Sequence, residues 1–161
     1  MATKTVTKPT AARSKKKTSA INYQPIADKV CEVAGISRFD VVFTDYSALD
    51  IRGVFAKPEE TGIRVIIPQK AFDRISRHLS VHTLDSIYEE NFVQIAVGKE
   101  GSPDAIWVNV TAPYSDIRTE VVGGYVVESL AATYYDLLAH QRVKRTGDIE
   151  AINVLADLLD L

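Results

Sequence analysis

Cysteine, tryptophan and methionine each occur once in the 161 residues, and no acid precedes Asp28. A lone Cys31 excludes an intramolecular disulfide framework and any zinc site built on a cysteine pair. With no cation or histidine adjacent to activate its thiol, it reads as a small buried apolar side chain. No stretch approaches the roughly 18 apolar residues of a membrane span, and no apolar core of the signal-peptide kind follows Met1. The expected location is therefore intracellular, in cytoplasm, nucleoid or nucleus, with no membrane contact and no secretion. A transit peptide is a further reading of the Thr-, Ser-, Ala- and Lys-rich start.

Catalytic signatures are also missing. Gly-x-Ser-x-Gly does not occur, and no Asp…Glu-x-Lys set suggests a metal-dependent nuclease. The run Gly98-Lys99-Glu100-Gly101-Ser102 leads into a strand, where a phosphate loop would lead into a helix, so it reads as a hairpin loop. His78 and His82 stand four apart, as two metal ligands on one helical face would, but no third ligand accompanies them. The sequence thus points to no catalytic residue, no metal and no cofactor.

What is present is a segregation of charge. The first 27 residues hold Lys4, Lys8, Arg13, Lys15, Lys16 and Lys17 unopposed; the rest holds 13 Lys and Arg against 21 Asp and Glu, a balance of −8. Residues 1–20 contain only Met1 and Val6 as large apolar side chains, and ordering them would cost about 1–2 kcal/mol per residue with no burial to offset it. A disordered basic arm (1–20) is expected before a single α+β domain (21–161).

Along that domain, Ile26, Val30, Val33 and Ala34 recur at helical spacing, with Gly35 fitted to end the helix. Alternation over Phe39–Phe43, Ile51–Phe55 and Ile63–Ile67 predicts a three-stranded meander. Pro68 opens a helix carrying Phe72, Ile75 and Leu79 on one face, and a helical turn is expected near Leu84–Glu90. Phe92–Val97 and Ile106–Val110 predict a hairpin. After an irregular stretch to Gly123-Gly124, Val126, Val127, Leu130, Leu137 and Gln141 trace a long helix, and Asp148–Leu161 forms a final amphipathic one. Short connections favour antiparallel pairing, so the expected fold is a mostly antiparallel sheet of about five strands, meander plus hairpin, packed on three to four helices.

The charge pattern carries the functional expectation: a non-enzymatic, nucleic-acid-associated protein, viral or nucleoid-associated, gripping DNA or RNA phosphates electrostatically. The six arm cations are the expected contacts, with Lys70, Arg74 and Arg77 on the helix after Pro68 as a secondary set. The absence of aromatic residues from the arm argues against base stacking there. Trp107, out of phase with the Ile106, Val108, Val110 row, reads as core on the sheet's other face. Two alternatives stay open. One is an assembly module, forming a homo-oligomer or recruiting a protein through Ile152, Leu155, Leu158 and Leu159; the other is a small enzyme with an unrecognised site.

Overall fold

The computed structural model describes residues 21–59, 61–84, 90–99, 101–113, 117–139 and 147–161. The expected arm, with Lys4, Lys8, Arg13, Lys15, Lys16 and Lys17, lies outside the described residues. Among those described, the elements run α1 (Tyr23–Ala34), a 3-10 turn (Arg38–Asp40), β1 (Val42–Phe43), α2 (Asp45–Arg52), β2 (Ile63–Ile66), α3 (Gln69–Ile75), β3 (His82–Leu84), β4 (Glu90–Val97), β5 (Ile106–Thr111), β6 (Thr119–Val122), β7 (Tyr125–Glu128), α4 (Leu130–Ala139) and α5 (Asp148–Leu158).

Helix α1 follows its sequence signals. The Asn22 side chain accepts from the Gln24 N–H at 3.1 Å, satisfying an otherwise orphaned donor of the first turn. At the other end Gly35 adopts φ 65° and its N–H reaches the Cys31 carbonyl, a conformation a residue with Cβ resists. Tyr23, Ile26, Ala27 and Val30 are buried. Cys31 is only half-buried, yet burial first, and then nearby Asp28, push its thiol above the ordinary value of 9.0. Because the raised value favours the neutral thiol, its stabilising contribution is present below the ordinary value and lost as pH rises through the raised one. Iodoacetamide alkylation of the folded chain is expected to reach half its maximal rate above pH 9.0. A lower midpoint would contradict this environment for Cys31.

The sheet overturns the expected architecture. Among the described residues it has seven strands in the order β3-β4-β5-β2-β1-β7-β6. It is mixed: β1 pairs in parallel with β7 and β2 with β5, while β1–β2, β3–β4, β4–β5 and β6–β7 are antiparallel. The mostly antiparallel five-stranded sheet is therefore corrected. Short connections mislead here because β2 takes as neighbours both β1, nearby in sequence, and β5, reached through the intervening α3, β3 and β4. The expected meander does not form: its first strand shrinks to Val42–Phe43 behind a 3-10 turn, and its second, Ile51–Phe55, falls on the last residues of α2 and the turn that follows it. The predicted helix from Val126 begins instead at Leu130, after β7. The predicted β4–β5 hairpin is present, with Ile95 opposite Val108. Most of the expected turn after Leu84 lies outside the described residues, while His82–Leu84 is strand.

Two cores hold the sheet. On one face α1 and α3 bury Ile26, Val30, Phe72 and Ile75 against Phe43, Val65, Val93 and Val110. Tyr23, Phe43 and Tyr125 add edge-to-face rings, with centroids 5.4 and 5.8 Å apart for the pairs sharing Phe43. A second cluster joins α2, α4 and α5 through Tyr46, Leu49, Leu137, Ile152 and Leu155. Each such aliphatic side chain contributes about 1.5–3 kcal/mol on full burial.

Candidate functional site

Alternation along β2 and β5 sends Ile63 and Val65 into the first core and Arg64, Ile66, Asn109 and Thr111 to the opposite face. Across three strands this face presents a polar row: Arg64 opposite Asn109, and Asn109 opposite Gln94, whose Nε2 donates to Asn109 Oδ1 at 3.1 Å. One step toward the start of β5, Trp107 stands on the same face opposite Ala96. It is 46% exposed, which corrects the reading of Trp107 as core. The helices covering this face reach the Arg64 end and leave the Trp107 end open.

At the covered end the site is a buried ion network. Arg64 Nη2 donates to Glu90 Oε1 at 2.8 Å and Nη1 to Asp136 Oδ2, on α4, at 3.4 Å. Burial works against the guanidinium's charge, but Asp136, Glu90, Asp45 and Glu128 together outweigh it and its pKa rises. Helix α2 meets the same network. Asp45 enters the helix with φ 61°, a left-handed conformation that costs a residue with Cβ about 1–2 kcal/mol, and its N–H is held by Glu128 Oε1 at 3.0 Å. A carboxylate thus sits at the positive end of α2, favourable in charge and supplied from the end of β7. Arg52 ties the other end of α2 to the same strand, donating to the Glu128 carbonyl at 3.0 Å and to Glu120 Oε2 at 2.7 Å. Tyr46 Oη donates to Asp148 Oδ1 at 2.5 Å, fixing α5 to α2.

At the open end lies a pocket of about 570 Å³ whose lining includes Asp50, Lys57, Glu59, Thr61, Gly62 and Trp107. Its size falls within the range of small-molecule sites. Lys57 supplies a cation and Trp107 a large flat apolar face; Asp50 is engaged by Tyr23 Oη at 2.6 Å. A smaller pocket of about 300 Å³ touches the ion network through Arg64 and Glu90, with Gln69, Asn91 and Thr111 at its rim. Among the described residues, no three His, Cys, Asp or Glu side chains are gathered as a metal ion needs, and no helix is long and apolar enough to cross a membrane.

The residues singled out in the sequence lie elsewhere. Lys70, Arg74 and Arg77 are exposed on and just beyond α3, and Arg74 Nη2 donates to the Ala34 carbonyl. They share no pocket with Arg64 or Trp107 among the pockets described above. Ile152 and Leu155 face inward against Tyr46 and Leu137, while Leu158 is 54% exposed. Sequence reasoning missed Arg64, Asp136, Glu128 and the pocket around Trp107. A signal for the first was available: an arginine set into an otherwise apolar strand, Ile63-Arg64-Val65-Ile66, is a charge that burial would force to find partners.

No family model matches the sequence, and no curated protein matches it. Among solved structures, ANT(2")-Ia in complex with adenylyl-2"-tobramycin is 14% identical over 86% of this chain and 90% of its own, with a TM-score of 0.53. A candidate nucleotidyltransferase from Thermotoga maritima is 16% identical over 86% of this chain and 92% of its own, with a TM-score of 0.49. Another, from Helicobacter pylori, is 13% identical over 73% of this chain and 59% of its own, with a TM-score of 0.39. The first likeness corrects the expectation of a non-enzymatic, nucleic-acid-associated protein. Neither nucleic-acid binding nor a viral origin draws support from it. What the likeness shows is the fold: this chain is built as ANT(2")-Ia is built.

Proposed function

We propose that the chain is a small enzyme of the nucleotidyl-transfer class, taking its nucleotide in the pocket between Trp107 of β5 and the residues Lys57, Glu59, Thr61 and Gly62 that precede β2. The observation that carries this reading is the exposed Trp107 at the wall of a nucleotide-sized pocket, in a chain whose fold follows that of ANT(2")-Ia. A fold alone does not fix an activity, so the reading rests on what the pocket can do. Trp107 offers a π-face on which a base can stack, a contact worth about 1–3 kcal/mol. Lys57, on the same pocket wall, supplies positive charge for phosphate, and Thr61 and Gly62 line the pocket beside it.

In the reaction of this class an acceptor oxygen attacks the α-phosphorus of a nucleoside triphosphate. The bond to the bridging oxygen breaks, pyrophosphate leaves, and the acceptor's proton passes to a base. Transfer of this kind depends on positioning and on charge stabilisation more than on covalent chemistry by the protein. Glu59, exposed at the pocket, is the carboxylate placed to take the proton. Divalent ions commonly help neutralise such phosphates; among the described residues no three His, Cys, Asp or Glu side chains gather to hold one.

Because Trp107 is the sole tryptophan, its fluorescence reports this pocket directly. Titration with ATP, CTP, GTP and UTP, excited selectively at the indole, is expected to give saturable quenching by at least one nucleotide. Trp107→Ala is expected to weaken that nucleotide's binding about tenfold or more, measured by calorimetry, in line with the loss of one stacking contact. Flat titrations with all four nucleotides would overturn the reading.

A further inference from the structure

We infer that the Arg64 guanidinium is the resident cation shared by Glu90 and Asp136, occupying the space between two carboxylates that a divalent ion would need, and that this site takes up neither Mg²⁺ nor Mn²⁺ while Arg64 is in place. The inference goes beyond the nucleotidyl-transfer reading, because it concerns the covered end of the sheet face and a pocket other than the one at Trp107.

Three observations carry it. First, the two carboxylates come from distant parts of the chain, Glu90 from β4 and Asp136 from α4, and meet at one side chain. Their side chains are 16% and 7% exposed and that of Arg64 is 10% exposed, so the three share one shielded space with little water to screen them. Second, the guanidinium occupies the space between the carboxylates: Nη2 lies 2.8 Å from Glu90 and Nη1 3.4 Å from Asp136. Mg²⁺ demands near-octahedral oxygens at about 2.0–2.1 Å, so an ion bridging these two groups would have to displace the guanidinium. A guanidinium does not lose its proton in proteins, and in a shielded site it repels a second cation strongly. Third, a further carboxylate whose charge acts on Arg64 is committed to the backbone frame: Glu128 accepts from the Asp45 N–H at 3.0 Å, at the first residue of α2. The donor set therefore reads as one built around an organic cation, in agreement with the absence of any metal-ready triad among the described residues.

The test uses the full chain and Mn²⁺ alone, read by the loss of the free-ion paramagnetic resonance signal, with thermal unfolding followed in parallel with and without the ion. The wild-type chain is expected to show no saturable Mn²⁺ binding and no change in melting temperature. Arg64→Ala is expected to gain one saturable site that Mg²⁺ competes for, and to be stabilised by the ion. Adding Asp136→Asn to Arg64→Ala is expected to remove that site. Arg64→Met, which keeps the aliphatic bulk, serves if the alanine variant does not fold. One saturable Mn²⁺ site in the wild-type chain, abolished by Asp136→Asn, would overturn the inference. So would the absence of any gained site in folded variants lacking Arg64. Since no nucleotide is present, these outcomes are independent of the fluorescence titration, and failure of one leaves the other standing.

Discussion

Replacing Arg64 by alanine is expected to cost about 3–5 kcal/mol of folding stability, the size typical of breaking a buried ion pair from one side. The reason is geometric as much as electrostatic. Two nitrogens of one planar fork serve two carboxylates on different elements, at 2.8 and 3.4 Å, so a single truncation loosens β2 from both β4 and α4. For a chain of this length each kcal/mol is worth about 2–4 °C in melting temperature, which puts the expected fall at about 6–20 °C. Arg64→Lys is expected to recover only part of it, because an ammonium is a point charge that cannot span the pair as a fork does. A change below about 1 kcal/mol in urea-induced unfolding, with the slope unaltered, would show that the network contributes specificity of packing rather than stability.

The second large effect is expected at α5. Leu155 is fully buried among Tyr46, Leu49, Leu137 and Ile152, and Leu155→Ala is expected to destabilise by about 2–5 kcal/mol through lost burial and the cavity left behind. Leu158, three residues on and 54% exposed, is the matched control: Leu158→Ala is expected to stay within about 0.5 kcal/mol. Comparison of urea midpoints decides between two roles for this helix. Equal, small effects at both positions would mean that α5 is not part of the chain's own core and would return Ile152 and Leu155 to the set of partner-facing residues.

How much of this was legible in the sequence depends on whether an element has a wet side. Helix α1 and the β4–β5 hairpin each bury one face, so their periodicities were visible. Helix α2 was not: from Asp45 to Asp50 every residue is buried, which erases the polar stripe that marks an amphipathic helix. Only its ends spoke, through Thr44 and the left-handed Gly53, and the β-branched and aromatic residues Ile51, Val54 and Phe55 spoke louder for a strand. Strand β7 was lost for a related reason. Val126 and Val127 fall in phase with the apolar positions of α4, so one helical pattern ran through both. The signal against it was Gly123-Gly124 between Thr119–Val122 and Tyr125–Glu128, a two-residue glycine turn of the hairpin kind, with both glycines at positive φ.

The site was harder still. Arg64, Glu90, Glu128 and Asp136 span 73 positions of sequence, and nothing in spacing along the chain gathers them; the crossing of β2 with β5 and the return of α4 over the sheet do. Charge summed over the sequence pointed at the arm because an unpaired run of lysines is visible in one dimension. A single arginine in an apolar strand carries one charge and no pattern, though its burial makes it the costlier group to place.

The nucleotide site is tested most directly by a nitrogen-15 correlation spectrum of the full chain titrated with the nucleotide that quenches Trp107. The indole N–H of Trp107 and the backbone amides of Thr61 and Gly62 are expected to shift together and to saturate at one equivalent, while the Gly123 and Gly124 amides stay fixed. Shifts confined to other surfaces, with these three groups unmoved, would contradict a nucleotide site in the pocket at Trp107.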